Sequence, residues 1–114
     1  MITYLASPYS DKDASVQHSR YEAACRACLL LVTRGANPYS PICHWHPIVE
    51  LGYYVEYEAL LTVDLAILKA ATSLYVLCLD GWKESVGVRR EIDFAKEHKI
   101  KTSYHTLKDL LVTL

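Results

Sequence analysis

The chain has 114 residues, enough for one modest hydrophobic core but not for two, which predicts a single domain over residues 1–114. With 52% hydrophobic and 22% charged residues and a formal net charge of −1, it has neither a nucleic-acid-binding footprint nor the composition of a disordered chain. We therefore expect a small-molecule partner and no nucleic-acid polymer.

The sequence also carries no signal for membrane insertion or export. No apolar stretch approaches the roughly 20 residues that cross a bilayer, and no basic N-terminal segment precedes an apolar run. We therefore expect a soluble, cytoplasmic protein with no membrane partner.

Four cysteines occur, mostly inside predicted helices or strands, which predicts reduced and largely buried thiols: Cys25, Cys28, Cys43 and Cys78. The Cys25-Arg26-Ala27-Cys28 segment lies deep in a helical pattern, whereas a thioredoxin-like pair would stand at a strand-to-helix turn. The first three cysteines could be drawn with His44 and His46 as a zinc site, but no second close pair of ligands is clear. Ordinary packing is expected instead.

Strands and helices are predicted to alternate along the first half of the chain. The elements are a buried strand over residues 2–6, a helix from a cap at Asp11 or Asp13 to Arg34, a weak strand over 36–39 and a loop over 40–47. The proline-bearing segment 7–10 ends the first strand, and Gly35 stops the helix. The aromatic- and histidine-rich loop is of the kind that walls a pocket.

The alternation continues through the second half. The elements are a long helix from about Val49 to Ala70, a strand over 73–79, a helix from Val86 to about His98, a strand over 100–104 and a short helix over 106–112. This order predicts an α/β fold with a parallel sheet and right-handed crossovers. The turns after the strands would then meet around one crevice, formed by segments 7–10, 40–46 and 80–85.

Segment 80–95 joins a glycine-bearing turn to the start of a helix. Ser85 is a candidate N-cap, and the free amides behind it would receive a phosphate, hydroxyl or carboxylate, while Gly87 lets a ligand approach the backbone. Glu91 lies about 60° from the apolar stripe of this helix, at the edge of the core. It could have a raised pKa or act as a nucleophile, or it could be a flanking residue paired with Lys or Arg.

A second carboxylate, Asp64, occupies the centre of an apolar helical stripe. An aspartate there is costly unless it is paired, hydrogen-bonded or protonated, or it could bond a loop backbone and only hold the fold. Together with Glu91 it forms the pair of carboxylates that glycosyl transfer requires. Several aromatic residues offer flat faces on which a base could stack: Tyr4, Tyr9, Tyr39, Trp45 and Trp82.

Three segments resemble the nucleoside 2-deoxyribosyltransferase superfamily, which includes 2′-deoxynucleoside 5′-monophosphate N-glycosidases. They are YLASPYS at residues 4–10, Asp64-Leu65 with the strand that follows, and SVGVRRE at residues 85–91, similar to a branch of small bacterial and phage proteins. The resemblance covers nearly the whole chain. It implies a three-layer flavodoxin-like or Rossmann-like sandwich with a four- to five-stranded parallel sheet, and a homodimer or higher homo-oligomer.

The resemblance also implies roles for single residues. Glu91 matches a nucleophile that forms a glycosyl-enzyme, Asp64 an aspartate near sugar and base, and Tyr4 a tyrosine near the nucleophile. Ser85 matches a serine that holds the 5′-phosphate. The full substrate-binding set that we expect is Ser7, Tyr9, Trp45, His46, Gly81, Trp82, Ser85, Gly87 and Arg89. No metal or organic cofactor is expected.

The chain departs from the family pattern at several positions. Ile92-Asp93 follows the glutamate where a typical member has Leu-Gly, and Pro8-Tyr9 replaces a glycine- and arginine-bearing loop. Arg89 or Arg90 could clamp a phosphate or form a salt bridge with Asp93 or Glu84.

Three functions remain open. The first is hydrolysis or transfer at the N-glycosidic bond of a (deoxy)nucleoside or nucleoside monophosphate. The second is a non-catalytic module that binds or sequesters a nucleotide. The third is a structural dimer part whose Tyr53, Tyr54 and Tyr57 face a partner chain.

Overall fold

The structure, a computed structural model, describes residues 1–112. Its strands are β1 (Thr3–Ala6), β2 (Pro38–Tyr39), β3 (Ser73–Leu77) and β4 (Lys101–His105). Its helices are α1 (Ala14–Thr33), α2 (Pro41–Glu50), α3 (Tyr57–Ala70), α4 (Val86–Glu97) and α5 (Leu107–Val112), with a 3-10 turn over Trp82–Glu84 before α4. Strands and helices alternate as predicted, except that two helices, α2 and α3, separate β2 from β3.

The four strands form one parallel sheet in the order β2-β1-β3-β4. The predicted α/β sandwich with a parallel sheet is therefore confirmed. The chain moves from β1 outward to β2, then returns to pair β3 with the other edge of β1, so the strand order reverses between β1 and β3. In open parallel sheets, ligands bind outside the carboxyl ends of the strands at such a reversal.

Alternate residues of the central strands bury opposite faces of the sheet. Tyr4 and Leu74 belong to the core under α3 and α4, whereas Leu5 and Tyr75 belong to the core under α1 and α5. This period of two follows from the pleat of a β-strand, and it produces three layers with helices on both faces. Tyr4 therefore points from β1 toward α4.

Two predicted elements are wrong, and both lie between β2 and β3. Residues 40–47 form the start of α2 and not a loop: the Ser40 hydroxyl accepts from the Cys43 amide at 3.2 Å, and Pro41 occupies the first helical turn, where a missing N–H costs nothing. The predicted helix over 49–70 is interrupted, because Gly52 adopts a φ of +86° after α2 and α3 begins only at Tyr57.

The other predicted elements lie within two residues of the observed ones. Asp13 is the cap of α1, since its carboxylate accepts from the Ser15 amide at 2.9 Å. The third strand ends at Leu77 and not at Leu79, whose amide turns back to the Leu77 carbonyl at 3.0 Å. Within residues 1–112, none of the helices has the length and apolar character needed to cross a membrane.

Two glycines with similar backbone angles give a matched test of the loop after β3. Gly35 and Gly81 have φ values of +82° and +88°, but a Cβ on Gly35 would meet nothing within 4 Å, whereas one on Gly81 would lie 2.7 Å from Arg20 Nη2. Alanine at either position adopts a left-handed conformation that costs about 1–2 kcal/mol. Gly81→Ala should lose about 1 kcal/mol more, because Arg20 must release the Asp80 carbonyl, to which it donates at 2.9 Å.

Urea unfolding of both variants measures this difference. Equal losses of unfolding free energy in Gly35→Ala and Gly81→Ala would show that the Arg20 contact with Asp80 adds nothing to the fold.

Candidate functional site

A cavity of about 700 Å³ opens at the carboxyl ends of β1 and β3, where the strand order reverses. All three segments that were predicted to meet there contribute to its wall. Nine of the predicted site residues line it: Ser7, Tyr9, Trp45, His46, Asp64, Gly81, Ser85, Gly87 and Glu91. The remaining wall is largely apolar and comes mostly from α2, α3 and the start of α4, including Ile42, Val49, Leu60, Leu61 and Val86.

Glu91 lies at the floor of the cavity with only 7% of its surface exposed. The Tyr4 hydroxyl, which is fully buried, donates a hydrogen bond to Glu91 Oε2. Burial raises the pKa of Glu91 to about 8; the nearby charge of Asp64 also raises it, while the Tyr4 bond opposes the shift. Burial, together with the two carboxylates, also raises the pKa of the Tyr4 phenol, which therefore remains a donor.

The alternative interpretation of Glu91 as a flanking residue in an ion pair is wrong. Among the described residues, its partner is Tyr4, and none of the ion pairs includes Glu91. The bond to Oε2 leaves Oε1 as the carboxylate oxygen available to a ligand in the cavity.

Asp64 on α3 is the second buried carboxylate of the cavity, with 7% of its surface exposed. Its Oδ1 accepts from Trp45 Nε1 at 2.9 Å and from the Tyr39 hydroxyl at 3.1 Å. Burial raises the pKa of Asp64, and these two bonds oppose the shift. The alternative in which Asp64 bonds a loop backbone is therefore wrong, because its partners are aromatic side chains from α2 and β2.

The start of α4 has the N-cap and the free backbone amides that the sequence predicted for a ligand-binding turn. Ser85 is the N-cap, and its hydroxyl accepts from the Val88 amide at 3.2 Å. Within residues 1–112, the amides of Val86 and Gly87 have no acceptor, as is usual in the first turn of a helix. Both residues line the cavity, so these amides and the positive end of the helix dipole are available to a polar ligand.

Ser7, which follows β1, adds a second unsatisfied polar group to the wall. It is 8% exposed, and its Oγ is buried without a hydrogen-bond partner among the described residues. Buried hydroxyls nearly always have a partner, and one that lacks it within the protein is explained by a ligand or water. Ser7 is therefore positioned to bond a ligand in the cavity.

Arg20 of α1 is a cavity residue that the sequence did not suggest. Its Nη1 donates to the Ser10 carbonyl at 2.9 Å and its Nη2 to the Asp80 carbonyl at the same distance, so it joins the loops that follow β1 and β3. From the sequence alone, an arginine at this position of a helix is expected to be an ordinary solvent-exposed residue. Its contacts follow from the packing of α1 beside the loops after β1 and β3, which the sequence does not show.

Trp82 and Arg89 were expected to bind substrate, but the structure places both outside the cavity. They border a separate hollow of about 340 Å³, and Arg89 Nη2 donates to the Lys83 carbonyl at 3.2 Å. The reason is helical geometry: at about 100° per residue, Arg89 lies roughly 160° around α4 from Glu91. Trp82 instead packs against Tyr104, with ring centroids 5.6 Å apart.

The predicted pairing of the two arginines is also corrected. Arg90 Nη1 forms an ion pair with Glu58 at 2.8 Å, and its guanidinium lies 5.6 Å from the centre of the Tyr57 ring. Among the described residues, neither Arg89 nor Arg90 forms an ion pair with Asp93 or Glu84. Arg90 therefore connects α4 to the first turn of α3 through Glu58 and Tyr57.

Each of the four cysteines is only partly buried, so the predicted burial is not reached. Cys25 and Cys28 both lie inside α1, and Cys25 Sγ is 3.3 Å from Cys43 Sγ. His44 is exposed, with its ring against Trp45. In the described part of the chain, no compact metal-binding group includes these thiols.

The burial of Glu91 predicts a distinctive dependence of stability on pH. Its pKa is raised from 4.5 in the unfolded chain to about 8 in the folded one, so the folded state holds the proton more tightly and the stability contributed by this group falls as pH rises between these values. Glu91→Gln cannot ionise, so the variant should match the parent near pH 5 and become more stable than the parent near pH 8.

Thermal unfolding at both pH values checks this prediction. Glu97→Gln, at the exposed end of α4, is the control for the loss of one negative charge. A parent chain that is more stable than Glu91→Gln at pH 8 would contradict the raised pKa.

Comparison with known proteins gives a family for the chain but no activity. A search of curated proteins finds no match. A family model described as "Domain of unknown function (DUF1937)" matches residues 1–106, which is nearly the whole chain. The chain therefore belongs to the DUF1937 family.

Proposed function

We propose that this protein cleaves the N-glycosidic bond of a (deoxy)nucleoside or nucleoside monophosphate, either by hydrolysis or by transfer of the sugar to a second base. We also propose that it is a distant member of the nucleoside 2-deoxyribosyltransferase superfamily. The observation that carries the proposal is the pair of buried carboxylates, Glu91 and Asp64, in the wall of one cavity. Both retain an oxygen that makes no hydrogen bond within the described residues.

Glu91 is the proposed nucleophile. In its ionised form, Oε1 attacks C1′ of the sugar while the bond from C1′ to the base nitrogen breaks and its electron pair leaves with the base. The Tyr4 hydroxyl holds the other oxygen, Oε2, and so fixes the carboxylate in place. Water or a second base then attacks C1′, releases the Glu91 carboxylate and gives hydrolysis or transfer.

Asp64 is proposed to orient the sugar and the departing base. Its charge raises the pKa of Glu91, so Asp64 is ionised while Glu91 titrates and accepts a hydrogen bond from a sugar hydroxyl or a base N–H, and the departing base takes its proton from solvent. Trp45 and Tyr39 both bond Oδ1, so that Oδ2 is left to face the ligand. The two carboxyl groups then have different roles, as glycosidic chemistry requires.

The apolar and aromatic wall of the cavity supports binding of a base. The excess of carboxyl groups in the wall favours an uncharged nucleoside over a nucleoside monophosphate. Four carboxyl groups line the cavity, against a single arginine: Asp11, Asp64, Glu84, Glu91 and Arg20. A phosphate dianion would meet repulsion from the carboxylates, which the amides of Val86 and Gly87 and the Arg20 guanidinium only partly offset. The Ser7 hydroxyl and the free amides at the start of α4 are better suited to bind the uncharged hydroxyls of a sugar than a phosphate dianion.

One observation favours the alternative of a non-catalytic nucleotide-binding or sequestering module. A Glu91 pKa of about 8 leaves this carboxyl mostly protonated at neutral pH, and a protonated carboxyl does not attack carbon. Such a module would hold its ligand in the same cavity without releasing the base.

We also propose that the protein is a homodimer or higher homo-oligomer, because aromatic side chains in the segment before α3 and at its first residue are exposed to solvent. Tyr53, Tyr54 and Tyr57 are 67%, 90% and 47% exposed, and they are close to one another in sequence. Sedimentation velocity over a range of concentrations tests this, and a monomer throughout would reject it.

Incubation with a panel of nucleosides and their 5′-monophosphates, with chromatography for free base, should show base release, faster from the nucleosides. Glu91→Gln should reduce release at least about 1000-fold, since it removes the nucleophile. Below pH 8, kcat/KM of the parent should rise by about tenfold per pH unit, because only the ionised Glu91 reacts.

Arg89→Gln is the matched control, because it changes a polar residue of α4 outside the cavity and should leave base release unchanged. Full activity in Glu91→Gln would reject the nucleophile. Tight binding without base release from any member of the panel would favour the binding module instead.

A further inference from the structure

A cluster of two histidines and one glutamate lies at the outer rim of the cavity, between α1 and α2. His18 comes from α1, while His46 and Glu50 stand one helical turn apart on α2. One ligand atom from each of the three lies within 4.8 Å of the others. His46 is buried, whereas His18 and Glu50 have side chains 53% and 52% exposed, so the cluster can be reached from solvent.

We propose that His18, His46 and Glu50 bind one divalent transition-metal ion of the zinc class. Two imidazoles and one carboxylate form a donor set that zinc uses in proteins, with water at the remaining position. The half-exposed side of the cluster leaves room for that water. The proposal is independent of glycosidic chemistry in the cavity.

The spacing of the ligand atoms fits such an ion. Metal–ligand bonds of roughly 2.0–2.2 Å in a tetrahedron hold neighbouring ligand atoms about 3.3–3.6 Å apart. Glu50 Oε1 lies 3.2 Å from His18 Nδ1 and 2.7 Å from His46 Nε2, and the ligand atoms of all three residues lie within 4.8 Å of one another. The shortest distance must open by about 0.6–0.9 Å, which the half-exposed Glu50 and His18 side chains allow.

The second nitrogen of each imidazole is already held by an oxygen. His46 Nδ1 is 2.6 Å from the Tyr9 hydroxyl, and His18 Nε2 is 3.3 Å from Glu22 Oε1. Metal-binding histidines almost always direct their other nitrogen to such a partner, which fixes the ring orientation and makes the ligand more basic. Both histidines therefore have the outer partner that a metal site requires.

The two carboxylates around the His18 ring also favour a bound cation. Both of its ring nitrogens face a carboxylate oxygen, Nδ1 toward Glu50 and Nε2 toward Glu22. A neutral imidazole has one N–H and one lone pair, so one nitrogen would direct its lone pair at a carboxylate. A metal ion between His18 Nδ1 and Glu50 removes that repulsion.

The ion would act on the cavity through His46. The Tyr21 ring stacks on His46 with centroids 4.1 Å apart, and the Tyr9 hydroxyl that bonds His46 belongs to the cavity wall. An ion that joins α1 to α2 would thus fix the positions of His46 and Tyr9. In this arrangement the metal orders the wall and takes no part in bond cleavage.

Zinc titration of the full chain, stripped with a chelator and desalted, tests the proposal by calorimetry. The parent should bind one Zn²⁺ per chain, and excess Mg²⁺ should not compete, because imidazole ligands disfavour this hard ion. His18→Ala and Glu50→Gln should each raise the dissociation constant at least about 100-fold. Glu22→Gln, which removes only the outer partner of His18, should raise it by about 10- to 100-fold.

Two controls separate this cluster from the other zinc-binding groups of the chain. His98→Ala removes an exposed imidazole at the end of α4, and Cys25→Ser removes one of the thiols near Cys43. Both variants should bind Zn²⁺ as the parent does, and the Co²⁺ form should lack the near-ultraviolet thiolate charge-transfer band. Circular dichroism should show that every variant remains folded.

Several outcomes would overturn the proposal. They are a parent chain that does not bind Zn²⁺, binding that survives in His18→Ala, and binding that weakens equally in His98→Ala. A thiolate band in the Co²⁺ form would assign the ion to the cysteines.

Discussion

The hydrogen bond from Tyr4 to Glu91 is the contact on which the rest of the site depends, because it joins the central strand β1 to helix α4 in the interior of the protein. A carboxyl group with 7% exposure is costly to ionise, and the Tyr4 bond opposes the burial that raises its pKa. Tyr4 can reach it only because the pleat of β1 directs this side chain toward the face that α4 covers. The register of one strand thereby sets the position of the proposed nucleophile.

The second carboxylate is held by a different part of the fold. Asp64 lies on α3, and its partners Trp45 and Tyr39 come from α2 and β2, so three elements converge on one oxygen. The two carboxyl groups share a largely apolar cavity, where burial raises the pKa of each and where their charges oppose one another. A site of this kind favours one ionised and one protonated carboxyl group near neutral pH, and attack by Glu91 requires that its own proton first be lost.

The sequence predicted the sheet and both carboxylates because these depend on local pattern: an apolar run for β3, a cap at Ser85 and an aspartate in an apolar stripe at Asp64. The prediction failed over residues 40–47, which were assigned to a loop although Ser40 caps α2 and Pro41 begins it. Arg20 was missed because its partners are backbone carbonyls of two loops, one of them 60 residues away in sequence. Trp82 was misplaced because its position in the sequence does not give the direction of its side chain.

The most direct measurement of the central claim is mass spectrometry of the protein after incubation with a 2′-deoxynucleoside and a rapid acid quench. Nucleophilic attack by Glu91 predicts a protein that is heavier by one deoxyribosyl group, with the added mass on the peptide that contains Glu91 and none in Glu91→Gln. Base release without any adduct under rapid quench, or an adduct on another residue, would contradict it.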